Sequence, residues 1–212
     1  MHTRTLTIFF SLVSAGAVLV PQSAGKTPYP APPTLRVSVF NDAHIPNQKL
    51  LRAERVAAQI FAASGISIDW LNCGRPTETG REQSACSEAI FPSHLHVRIE
   101  PCSLNLNPSV VGLSYSGENG AGQQADIFYS GVSLLEQTHH ADSAAILGGV
   151  MAHELGHLLL GADSHAPSGL MRPLWNAHDL SGSLSGQLAF TPQQSEKLRA
   201  RLVTAAGGWP TD

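Results

Sequence analysis

Residues 143–160, SAAILGGVMAHELGHLLL, are apolar on nearly every side of a helical projection, with Ile146, Leu147, Val150, Leu155 and Leu158 leaving no polar face. A helix of this kind has to lie inside the molecule, so the rest of the chain must supply layers around it. His153, Glu154 and His157 break the pattern. Buried without partners, such groups would cost on the order of several kcal/mol, so something must satisfy them.

Their spacing says what. Histidines four apart share one helical face about one turn apart, and two imidazoles so placed can reach a single zinc ion at roughly 2.0–2.1 Å. Glu154 sits beside them without competing as a ligand, where it can take a proton from water that zinc has acidified to a pKa of about 7. Zn2+ is therefore the expected cofactor, with His153 and His157 as ligands and Glu154 as the catalytic base. A third ligand must come from downstream, where Asp163 and His165 are the candidates. On a continued helix His165 would lie about 12 Å beyond His157, too far to share one ion. The chain must therefore turn back. Gly161 adopts a left-handed turn freely, whereas Leu160 would lose roughly 1–2 kcal/mol there.

The stretch HELGHLLLGADSH, followed by SGLM, resembles the metzincin metalloproteases, whose pattern is HExxHxxGxxH or HExxHxxGxxD with a downstream methionine turn. In that pattern the glycine and third ligand fall where Leu160 and Asp163 stand here; the glycine arrives one residue late, at 161, and the histidine two late, at 165. By count alone Asp163 is the ligand, as in the snapalysin-like variant. The position of the turn glycine and the stronger affinity of imidazole for zinc favour His165, leaving Asp163 a turn-stabilising role. The resemblance implies that Met171, in Ser168-Gly169-Leu170-Met171, forms a hydrophobic floor beneath the metal. It also implies a zincin-like α/β (α+β) fold, a peptide or protein substrate and a hydrolytic zinc metalloendopeptidase. The tyrosine that assists at the metal in many such enzymes is missing, since none follows Tyr129. Trp175 is expected to pack in the lower lobe, with lining the specificity wall as the alternative.

The remaining sequence suits that architecture. Leu35, Val37 and Val39 alternate with polar residues as a strand would; residues 47–65 place Leu50, Ala53, Ala57, Ile60 and Phe61 on one helical face; Ile66, Ile68 and Trp70 suggest a second strand. This β-α-β start predicts parallel pairing through a crossover helix, hence a small, mostly parallel mixed sheet. Residues 72–93 read as a long loop. Leu95, Val97 and Ile99 form a third strand with His94 and His96 facing solvent, and Val110 to Ser116 and Asp126 to Tyr129 two more. A substrate backbone is expected to pair near Val110 to Ser116. Residues 161–190 read as a loop-rich lower lobe. A last helix opens at TPQQ, with Thr191 as N-cap, Pro192 first in the helix and Gln194 completing a capping box.

The N-terminus reads as an export signal over residues 1–25, with a basic start, an apolar run from Leu6 to Val20 and small residues at Ser23, Ala24 and Gly25; an uncleaved anchor is the alternative. A proline-rich linker spans 26–34, and 35–212 is the catalytic domain. The expected location is secreted or periplasmic, with no membrane association after signal cleavage. The net charge of −3 points to no nucleic-acid partner. Cys73, Cys86 and Cys102 allow at most one intrachain disulfide, of undetermined pairing. Two other readings compete: a gluzincin-type peptidase with Glu196 as third ligand, and a secreted zinc-binding interaction module without catalysis. Three protein ligands with a base beside them favour an open, catalytic site over a closed structural one.

Overall fold

A computed structural model describes residues 31–74, 80–103, 106, 107, 109–117, 122–181 and 188–206. The expected signal segment and most of the linker lie outside the described residues.

The strands β1 (Thr34–Asn41), β2 (Ser67–Cys73), β3 (His94–Glu100), β4 (Gly112–Ser116) and β5 (Gly122–Phe128) form one sheet in the order β2-β1-β3-β5-β4. All pairs are parallel except β4 with β5, so the sheet is mixed and mostly parallel, with β4 as its antiparallel edge. Alternation sets the buried face: Val37 lies beside Leu95, Val39 beside Val97, and Val97 beside Ala125, all fully or almost fully buried. The crossover helix α1 (Asn47–Ala63) turns Leu50, Ala53, Ala57, Ile60 and Phe61 into the same core.

The helix expected at the centre is there with the expected bounds, as Ser143–Leu160. It is long and apolar enough to cross a membrane, but 94% of it is buried inside the fold, so its hydrophobicity is that of a core. Two features seat it against α1. A Cβ at Gly148 would come 2.4 Å from the Ala53 carbonyl oxygen and 2.7 Å from the Val56 Cβ, so the two helices approach closely because residue 148 has no side chain. Asp142 caps the helix through the Ala144 N–H and pairs with Arg52 of α1.

The segment 72–93 is not a plain loop. It contains a helix, Gly80–Ser87, here α2, tied to β2 by a disulfide between Cys73 and Cys86; Cys102 is free and exposed. A further unforeseen helix, α3 (Tyr129–His139), leaves β5 directly, and the large helix at 143–160 is accordingly α4. Residues 161–190 carry the short helix α5 (Ala177–Ser181), and α6 (Pro192–Ala206) closes the fold. The foreseen capping box opens α6: Thr191 N–H donates to Gln194 Oε1 and Gln194 N–H to Thr191 Oγ1.

The expectation of solvent-facing histidines on β3 is corrected. His94 is buried, with Nε2 2.8 Å from Ser38 Oγ, and the Ile90–His94 bridge brings the chain before β3 back over it. Burial, reinforced by His96 and Arg36, holds its pKa below the usual histidine value.

Candidate metal centre

The site is assembled where α4 ends. Its last residue is Leu160, and Gly161 carries the chain away at φ 101°, ψ 166°. The reversal is where the sequence put it, but its shape differs: this is not the left-handed helical region but the extended positive-φ region that essentially only glycine enters. The returning loop brings His165 back over α4.

The three rings converge. His157 Nε2 lies 3.0 Å from His153 Nε2 and 3.1 Å from His165 Nε2, and the ligand atoms of all three fall within 4.8 Å of one another. Asp163 is exposed and stands outside this group, as does the exposed Glu196 on α6. The histidine two residues late is the one that meets the other two rings.

The donor chemistry fits a cation. A carbonyl oxygen only accepts, so the 2.9 Å contact between His153 Nδ1 and the Leu170 carbonyl places that ring's proton on Nδ1 and a lone pair on Nε2. His157 Nδ1 faces the Gly161 carbonyl at 3.5 Å and the Ser164 hydroxyl at 3.0 Å, which favours the same tautomer. Two nitrogen lone pairs 3.0 Å apart repel unless a positive charge sits between them. Tetrahedral coordination at about 2.0–2.1 Å would set such nitrogens roughly 3.3 Å apart, close to the separations found. Burial depresses both pKa values, His153 to about 4 against the opposing Leu170 hydrogen bond, which keeps the rings neutral as ligands must be.

Glu154 stands beside the cluster, 5% exposed. Burial pushes its pKa up to about 7, partly offset by a hydrogen bond from the Ser114 side chain on edge strand β4. Gly112, two residues earlier on that strand, makes the room: a Cβ there would lie 2.5 Å from Glu154 Oε1 and 2.7 Å from its Cγ. Neither Gly112 nor Ser114 belongs to a motif that marks it as a partner of Glu154. Their alternation on a strand expected at the edge was the available signal.

Below the rings the chain makes a tight turn, with the Ala166 N–H donating to the Met171 carbonyl and Gly169 at φ 77°. Met171 is fully buried, and its sulfur occupies the space that a side chain at Gly156 would take, between the two helical histidines in sequence. Gln194 Nε2 donates to the Ser164 carbonyl, so the capping residue of α6 also holds the loop that carries His165. Trp175 is half-buried, packed against the hydrophobic core and also against the His153 ring.

A cavity of about 540 Å³ opens over the cluster, bounded by β4 residues Gly112 to Ser114 on one side and by Arg172 to Trp175 on the other. The three histidines and Glu154 all face it.

Among solved structures, a zinc-dependent peptidase from Methanocorpusculum labreanum matches 76% of this chain and 99% of its own, with a TM-score of 0.52 and 14% sequence identity. In fold, this chain is similar to a zinc-dependent peptidase. Archaemetzincin from Methanopyrus kandleri matches 84% of this chain and 99% of its own, with a TM-score of 0.47 and 15% identity. No protein-family profile and no curated protein matches the sequence.

Proposed function

We propose that the chain is a zinc-dependent peptidase of metzincin type that hydrolyses internal peptide bonds. The observation that carries this reading is the convergence of His153, His157 and His165 on one point, with Glu154 beside them, at the floor of an open cleft. The fold likeness to a protein described as a zinc-dependent peptidase supports it.

His153, His157 and His165 would hold the ion, with Met171 packed beneath. Bound there, zinc supplies Lewis-acid polarisation of the scissile carbonyl and acidifies water. Glu154 accepts a proton from the water that attacks the carbonyl carbon and delivers it to the leaving amine as the C–N bond breaks. Its raised pKa suits a group that both takes and returns a proton near neutrality. Ser114 and the bare backbone at Gly112 orient that carboxylate, and β4, the edge of the sheet among the described residues, offers backbone groups to an extended substrate. The Cys73–Cys86 disulfide supports action outside the cytoplasm, in keeping with the export signal read at the N-terminus.

The test is cleavage of a denatured protein and of a quenched internal peptide. The parent should cleave both, lose activity to a chelator and regain it with zinc. Glu154→Gln should keep its zinc and lose about 10²–10⁴-fold in turnover. A Glu154→Gln variant as active as the parent would mean that the mechanism is wrong.

A further inference from the structure

We propose that Trp175 is a positioning residue for His153, locking the ring of this first ligand through a carbonyl that both side chains share. The inference rests on the ligand set proposed above.

The Leu170 carbonyl accepts two hydrogen bonds, from His153 Nδ1 at 2.9 Å and from Trp175 Nε1 at 3.0 Å. Leu170 is itself pinned, since its N–H donates to the Ala189 carbonyl at 2.8 Å and its side chain is fully buried. An acceptor held by an indole N–H on one side keeps its second lone-pair direction for the imidazole. That fixes the tautomer which leaves His153 Nε2 free to bind a cation.

The indole also buttresses the ring by contact. Its centroid lies 5.7 Å from that of His153 with the planes 82° apart, an edge-to-face arrangement. Helix α4 leaves space for it one turn before the ligand: a Cβ at Gly149 would come within 3.2 Å of Trp175 Cη2 and 3.3 Å of Cζ3. The same residue forms part of the cleft wall. One side chain therefore links the orientation of a ligand to the surface that a substrate would meet.

Two substitutions separate this from a packing role. Trp175→Phe keeps an aromatic ring but removes the donor. Gly149→Ala deletes no contact and favours the helix, yet presses a methyl group on the indole. Zinc affinity is measured on each metal-free protein by competition with a chromophoric chelator, alongside the metal-free unfolding midpoint and the His153 ring-nitrogen NMR signals. Trp175→Phe should weaken zinc binding about 10–100-fold, the range for outer partners of a ligand. Gly149→Ala should fall between it and the parent, with an undiminished midpoint, and Trp175→Phe should lose the single Nδ1–H tautomer of His153. Parental zinc affinity in Trp175→Phe, or in Gly149→Ala should the former fail to fold, overturns the proposal alone. A parent chain that takes up no zinc overturns it together with the function proposed above.

Discussion

His94 and His96 stand two apart on a strand, and His153 and His157 four apart on a helix. Both spacings bring the two rings to one side, with centroids 5.7 Å apart in the first pair and 4.7 Å in the second. What differs is where the nitrogens go. On β3 the partners are separate: Ser38 Oγ for His94 and the Glu88 carbonyl for His96, each at 2.8 Å. On α4 the protein satisfies the Nδ1 atoms and leaves the Nε2 atoms facing each other and His165. Proximity of imidazoles therefore says little by itself. A pair whose ring nitrogens meet other protein groups belongs to the framework, and a pair whose lone pairs meet one another suits a cation.

The largest expected effect tests that distinction directly. His157→Ala should cost more than about a hundredfold in zinc affinity, because even outer partners of a ligand are worth about 10–100-fold. His96→Ala should leave zinc affinity where it was. Equal effects in a chelator competition would erase the contrast. Next comes Glu154, the proposed base: Gly112→Ala puts a methyl group where its carboxylate lies and should lower turnover about a hundredfold, the scale for a misplacement of about 1 Å, while zinc content stays at the parental level. Loss of zinc in that variant would mean that the carboxylate and the ligand cluster are not separable.

The smallest effect concerns the strand pair and pH. His94 has a folded pKa held below its ordinary 6.5, mainly by burial, so the unfolded chain binds protons more readily than the folded one. The stability this neutral ring contributes is present above pH 6.5 and is lost as the pH falls through the depressed folded value. Facing it are His96, Arg36, Glu88 and Asp69, with Ser38 as hydrogen-bond partner. Urea unfolding of the zinc-loaded protein should therefore show stability falling below pH 6.5, and less steeply in His94→Gln. Identical slopes would show that the strand histidine carries no such linkage.

Much of the frame was legible because burial imposes periodicity. The bounds of α4, the alternation of β1 and β3, the amphipathic face of α1 and the Thr191–Gln194 box are patterns that side chains themselves write. The reversal at 161 was legible for a different reason, since two ligands on a helix and one beyond it demand a turn and glycine marks where it is cheapest. Helix α3 was not, because it starts directly after Phe128 with no capping side chain. Helix α2 is short and polar, and its tie to β2 lies in a cysteine pairing that three cysteines alone leave open. The histidines of β3 were misread because alternation distinguishes the two faces of a strand without saying that the second is also covered. Within the site, the Leu170 carbonyl is a backbone atom with no residue-type signature, and Ser114 and Gly112 matter only through a glutamate some forty residues away.

The close seating of α4 on α1 at Gly148, with Arg52 clasping Asp142, has a bearing on how the centre comes into being. Two of the three imidazoles are rooted in a rod that the packing against its neighbouring helix holds in place. The arm that bears His165 is tied down as well, by Gln194 at the Ser164 carbonyl and by the Ala166 N–H at the Met171 carbonyl, so the protein itself brings the third imidazole to the other two and stripping the metal should leave the frame standing.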